Sequence, residues 1–219
     1  MQTKPKIIIV DDHPLFREGI KLLIETEGLG EVIAEAENGK RFLSIMEQSD
    51  PDLVLMDIEM PVMGGLEATQ KALAKWPGLK ILVISMFSDR EYYESMIKVG
   101  VLGFVLKTSG KQELERAITN VERGESYFSN ELLRKIIINL SETDQEEEEK
   151  NNKQKEFTKK ELEVLKFFCK GLTSSEIAEK TNRSVKTIEA QRSKLIKKTN
   201  TKNTINLVLY AIKNKIVEV

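Results

Sequence analysis

Apolar residues follow two rhythms along the first 124 residues, and the rhythms alternate. Five short stretches are apolar along most of their length: KIIIV (6–10), EVIAEA (31–36), DLVLMD (52–57), LKILVIS (79–85) and LGFVLK (102–107). Runs of that length predict strands, and those apolar throughout predict burial on both faces. Between them the apolar positions recur every three or four residues. In DDHPLFREGIKLLIE, Phe16, Ile20, Leu23 and Ile24 form one stripe, and Pro14 suits a first helical turn. GKRFLSIMEQ, GLEATQKALAKW, DREYYESMIKVG and KQELERAITNVERG read as further helices, with Pro77-Gly78, Gly100 and Gly124 as stops. Five strand–helix repeats predict an α/β unit, residues 1–124, with a five-stranded parallel doubly wound sheet. Ligands of such sheets bind beyond the carboxyl ends of the strands, where the strand order reverses.

Beyond Gly124 the strand rhythm is lost. NELLRKIIINL (130–140) reads as an amphipathic helix, and SETDQEEEEKNNKQKE (141–156) contains no apolar residue, so 125–156 is expected to be a linker helix and a solvated acidic linker. Four helical patterns follow, at 158–170, 174–181, 185–199 and 203–214, which makes 157–219 an all-α four-helix unit. Thr158 with Glu161 spells a capping box, and Gly171 ends that helix. Thr173 or Ser174 caps the next, Thr181–Ser184 is a turn, and Ser184 caps a basic helix from Val185. A short helix, a tight turn and a basic helix fit a helix-turn-helix.

The formal net charge of −1 hides an asymmetry. Residues 1–140 carry 17 basic and 22 acidic side chains, 141–156 carry 3 and 7, and 157–219 carry 14 and 6. The basic unit is suited to a polyanion. The single cysteine, Cys169, rules out an intramolecular disulfide and fits a reducing compartment. No apolar run reaches the roughly 18 residues of a membrane span. The expectation is a soluble, cytoplasmic protein without a membrane partner.

Chemistry gathers at the predicted strand ends. Strand one delivers Asp11 and Asp12, strand three Asp57, strand four Ser85 and strand five Lys107. A lone strand-end aspartate usually caps a turn. Four strand tips bearing three carboxylates, a hydroxyl and an ammonium instead suit a divalent cation, Mg²⁺ by its preference for oxygen, together with a phosphoryl group. Asp57 is then the candidate nucleophile for an acyl phosphate. Gly64-Gly65 reads as a helix entry, and His13, the only histidine, as a surface or first-turn residue. VDDHPLFREG, DLVLMDIEMPVMGG, ILVIS and GFVLK together resemble the receiver domain of two-component response regulators, over residues 5–124. The resemblance implies a flavodoxin-like fold and phosphorylation of Asp57 by a sensor histidine kinase. It also implies Mg²⁺ on Asp11 or Asp12, Asp57 and the backbone carbonyl of Glu59, with Lys107 on the phosphoryl group and Ser85 with Phe104 as a switch pair in which Phe104 swings inward. Met86 stands where a small residue is usual and Thr108 where proline is frequent.

On the basic helix, Ile188 and Leu195 should be buried, which leaves Lys186, Glu189, Ala190, Ser193 and Lys197 on the opposite face. That face suits a major groove, while Arg192, Lys194 and Lys198 suit phosphates, with Lys186 and Lys197 helping, and Thr187 is a further DNA-binding candidate. EVLKFFCKGLTSSEIAEK and SVKTIEAQRSKLIKKT resemble the LuxR-type DNA-binding domain over residues 157–219. Gln191 replaces a frequent histidine and can still donate a hydrogen bond to a phosphate, and Asn200-Thr201 replaces a Gly-Val pair. Receiver, linker and LuxR-type domain in this order resemble the NarL/FixJ group. The resemblance implies a regulator of transcription that binds double-stranded DNA as a homodimer when phosphorylated. Two other readings fit parts of the chain: a Mg²⁺-dependent aspartyl-phosphate phosphohydrolase with Glu59 as second acid, and a regulator acting by protein contact alone.

Overall fold

β1 (Lys6–Val10) is buried over its last four residues, and its side chains alternate between two helical layers. The computed structural model describes residues 4–86, 90–129, 132, 157–214 and 216–217. The expected helix over 130–140 and the acidic linker lie outside the described residues, Leu132 apart. The chain divides into two units, Met1–Ser129 and Asn130–Val219.

In the first unit β1 is followed by α1 (Pro14–Thr26), β2 (Glu31–Ala36), α2 (Gly39–Met46), β3 (Leu53–Met56), α3 (Gly65–Lys75), β4 (Ile81–Ser85), α4 (Arg90–Val99), β5 (Gly103–Leu106) and α5 (Lys111–Glu122). β6 (Tyr127–Phe128) follows α5, and all strand pairs are parallel, in the order β2-β1-β3-β4-β5-β6. Period-two alternation divides the sheet: Ile7, Ile9, Leu53, Leu55, Leu82, Ile84 and Val105 pack with Ile20 and Ile24 of α1 and with Leu114, Ile118 and Val121 of α5. Ile8, Val10, Val54, Met56, Val83 and Phe104 take the other face and are equally buried. The five expected strands are present, but the sheet has six: β6 (Tyr127–Phe128) pairs with β5 beyond the 1–124 boundary expected from sequence. Gly124, at φ +75, turns the chain back toward the sheet edge. Two residues are too few for a detectable alternation.

The second unit contains α6 (Lys159–Cys169), α7 (Ser174–Thr181), α8 (Val185–Thr199) and α9 (Thr204–Lys213). Val164, Leu165, Phe168, Ile177, Ile188, Leu195, Leu207 and Val208 share one core, and Cys169 is buried in it, its thiol pushed up to about 12 by desolvation. Thr158–Glu161 and Thr173–Glu176 form complete capping boxes, and the Ser184 hydroxyl accepts from Thr187 N–H. Asn182 and Asn200 end α7 and α8 in the left-handed region, at φ +51 and +59. Asparagine tolerates that conformation better than other residues with a side chain, so Asn200 can stand in for glycine.

Candidate phosphoacceptor pocket and recognition helix

The pocket forms where β1 lies between β2 and β3, the switch point of the strand order. Asp11 N–H donates to Ala36 O at 3.0 Å and Asp57 N–H to Val10 O at 2.8 Å, so both ladders run one residue past the strands and set the two acids side by side. Lys107 N–H donates to Ser85 O at 2.7 Å, which does the same for the ammonium. Gly65 lies behind this edge, its N–H 2.7 Å from Ile58 O. A Cβ there would collide with the Asp57 carbonyl, so the glycine is required by close approach. α3 starts at Gly65, as the helix-entry reading expected.

Asp57 and Asp11 are 5% and 2% exposed. The Lys107 ammonium sits 2.7 Å from Asp57 Oδ2 and 2.5 Å from Asp11 Oδ2, with the Phe16 ring centroid at 4.6 Å. Asp57 Oδ1 accepts from Ile58 N–H at 2.7 Å. Burial pushes the Asp57 carboxyl above its ordinary range; the Lys107 hydrogen bond opposes this and the Asp11 charge adds to it. Burial works against the Lys107 ammonium, but its two carboxylate partners outweigh burial and raise it. Lys107 therefore stays charged at neutral pH.

Ligand atoms of Asp11, Asp12, His13 and Asp57 all lie within 4.8 Å of one another. Three carboxylates against one ammonium leave an excess negative charge that a divalent cation would balance. Asp12 Oδ1 is a buried oxygen that accepts no hydrogen bond, although His13 Nδ1 is 2.8 Å away at ion-pair distance. An acidic pocket with an unsatisfied buried oxygen fits a cation site. His13 occupies the N-cap of α1 and is exposed, as expected, yet it joins the acidic group, which the sequence reading did not foresee. Arg17 was also not singled out: its Nη1 donates to Asp11 O at 2.5 Å and its Nε lies 3.5 Å from Glu35.

Ser85 and Phe104 are fully buried on neighbouring strands. Phe104 is thus already inside. Met86 is 58% exposed, so its bulk extends into solvent. Every described peptide bond is trans, Lys107–Thr108 included. Glu59 is exposed, and its carboxylate accepts the Tyr92 hydroxyl of α4, an engagement that leaves it less suited to a second-acid role.

In the second unit Ile188 and Leu195 are fully buried, which fixes the orientation of α8. Lys186, Thr187, Ala190, Ser193, Lys194 and Lys197 are exposed; Glu189, Gln191, Arg192 and Lys198 are half-buried. Lys198 donates to the buried Glu161 of α6 at 2.7 Å and lies 4.8 Å over the Phe157 ring, while Lys194 reaches Glu161 at 3.1 Å. The basic side chains of α8 therefore divide between those facing outward and those pinning the helix to α6.

Residues 7–119 match the response regulator receiver domain family, and residues 155–211 match the bacterial regulatory proteins of the luxR family. The oxygen regulatory protein NreC of Staphylococcus epidermidis is 36% identical over 97% of this chain and 99% of its own. The transcriptional regulatory protein DegU of Brevibacillus brevis is 33% identical over 100% of this chain and 97% of its own. A structure of two RcsB dimers bound to two parallel DNAs superposes with a TM-score of 0.57 at 26% identity, covering 96% of this chain and 99% of that one. With a parallel α/β unit carrying the acidic pocket, a helix-turn-helix unit following it in sequence and relatives aligned end to end, the chain belongs to the NarL/FixJ group of response regulators.

Proposed function

We propose that this chain is a phosphorylation-controlled, DNA-binding regulator of transcription in which Asp57 accepts a phosphoryl group from a sensor histidine kinase. The carrying observation is the buried Asp57 carboxylate at the switch point with the Lys107 ammonium 2.7 Å from Oδ2. A carboxylate oxygen of Asp57 attacks phosphorus, the P–N bond of the kinase phosphohistidine breaks, and its electron pair stays on the imidazole, which takes up a proton. Lys107 neutralises charge on the phosphoryl oxygens and Ser85 supplies a hydroxyl hydrogen bond. Asp11, Asp12, Asp57 and the Glu59 carbonyl would hold Mg²⁺, which when bound shields the charge of the incoming phosphoryl group. Phe104 and Ser85 form the switch pair. The family consists of transcriptional regulators, and the RcsB dimers on DNA support the same use of the second unit here. Residues 125–156 act as the linker. Lys186, Glu189, Ala190, Ser193 and Lys197 face the major groove, Arg192 and Lys194 reach phosphates with Lys186 and Lys197 helping, Thr187 and Gln191 are further DNA contacts, and Lys198 reaches a phosphate only by releasing Glu161. Phosphorylation shifts the chain toward a homodimer that reads two half-sites. Among the described residues no helix is long and apolar enough to cross a membrane; the proposed cytoplasmic site of action follows from the kinase and DNA partners.

The test is selection from a randomised duplex pool, with and without Mg²⁺ plus beryllofluoride, for the wild type and Asp57→Asn. Enrichment of a two-fold symmetric site by the wild type only with the mimic is expected. Equal enrichment without it removes Asp57 from control of DNA binding, and no salt-dependent duplex binding in any condition favours action by protein contact.

A further inference from the structure

We infer that His13 is a nitrogen ligand of the acidic pocket, and that the pocket therefore takes borderline divalent cations of the Zn²⁺, Co²⁺ and Ni²⁺ kind more tightly than Mg²⁺. This rests on the reading of Asp11, Asp12 and Asp57 as a cation site and adds a ligand and a selectivity to it. His13 Nδ1 lies 2.8 Å from Asp12 Oδ1 and 3.3 Å from Asp11 Oδ1, and it belongs to the four-residue group whose ligand atoms fall within 4.8 Å of one another. Donors bound tetrahedrally to one zinc ion at about 2.0–2.2 Å lie about 3.3–3.6 Å apart, so side-chain rotations that close the group by an ångström or so bring these four donors around a single ion.

The ring is available for this. His13 caps α1 through its main chain alone: the ring makes no capping hydrogen bond, and the backbone N–H donates to Asp11 Oδ1 at 2.8 Å. Two-thirds of the side chain is exposed, so rotation costs no core packing. Its nearest carboxylate oxygen, Asp12 Oδ1, is the buried atom that accepts no hydrogen bond. An imidazole adds a strong donor without adding charge. Mg²⁺ gains little from nitrogen, whereas later first-row ions gain much.

His13 is the only histidine in the chain, so the untagged full-length protein labelled with ¹⁵N-histidine carries one imidazole signal set. Adding Zn²⁺ is expected to shift one ring nitrogen strongly, and adding Mg²⁺ to leave both nearly in place. Calorimetric titration of the same protein should show Zn²⁺ bound more tightly than Mg²⁺. His13→Gln should narrow that Zn²⁺-to-Mg²⁺ affinity ratio by at least about tenfold, and Asp57→Asn should weaken both ions. Ring nitrogens that ignore Zn²⁺, or Zn²⁺ affinity indifferent to Asp57→Asn, overturn the inference. Mg²⁺ affinity indifferent to Asp57→Asn instead overturns the cation site on which it rests.

Discussion

Asp57 and Glu161 are both carboxylates about 5% exposed, and their surroundings move them in opposite directions. Burial dominates at Asp57 and raises it. At Glu161 the Lys198 hydrogen bond dominates and, with Thr158 N–H and Lys194, holds the carboxyl down at about 2. A depressed carboxyl stabilises the fold fully above its ordinary value of 4.5, and the contribution is lost as pH falls from there through about 2. The unfolding transition of the second unit, followed by scanning calorimetry on the full chain, should therefore weaken across that window. Glu161→Gln should flatten that dependence and cost on the order of 2 kcal/mol at neutral pH, because it removes the charge-assisted hydrogen bond between the half-buried Lys198 and a buried carboxylate. Of these two acids only Asp57 was legible in the sequence, as an acid closing an apolar strand. Glu161 was read as a capping-box residue, which it is, but its partner lies 37 positions away on another helix, and no local pattern carries that distance. His13 escaped for a similar reason: a lone histidine beside two acids shows no ring direction until the helix that it caps is built.

At the scale of elements, the β3–α3 junction and the recognition helix make separate demands. Gly65 leaves room for the Asp57 carbonyl behind the pocket. Gly65→Ala should cost about 1–3 kcal/mol by overpacking, read in urea through the fluorescence of Trp76, the only tryptophan. It should also slow phosphorylation from a small acyl phosphate, because relief of the clash moves Asp57 itself. On α8 the contrast is between neighbours. Lys197 is exposed and Lys198 is tied to Glu161. Lys197→Ala should lower the slope of log affinity against log salt by about 0.9 with little change in stability. Lys198→Ala should act chiefly by destabilising the second unit, seen in the same calorimetric transition. Helix bounds were readable because capping residues mark them: α7 and α8 begin and end where Thr173, Ser184 and the stretches after them predicted. β6 was not readable, since two residues paired at a sheet edge owe their conformation to the neighbour rather than to their own sequence.

For the whole molecule, the proposal ties two ligands to one equilibrium: a phosphoryl group on the first unit and a duplex on the second. Such coupling is reciprocal by thermodynamic necessity. If Mg²⁺–beryllofluoride tightens binding of the selected duplex by some factor, the duplex must tighten binding of beryllofluoride by the same factor. A hundredfold effect corresponds to about 2.7 kcal/mol of coupling, and dimer formation must be held fixed by working at one protein concentration well above the dimer dissociation constant. Two titrations therefore check one quantity: beryllofluoride against protein with and without duplex, and duplex against protein with and without beryllofluoride. Equal factors are expected for the wild type. Asp57→Asn should reduce both to unity, while its duplex affinity stays at the value of the wild type without the mimic. Factors that persist in Asp57→Asn would place the anion somewhere other than this pocket, and factors of unity in the wild type would mean that the two units work side by side without exchanging free energy.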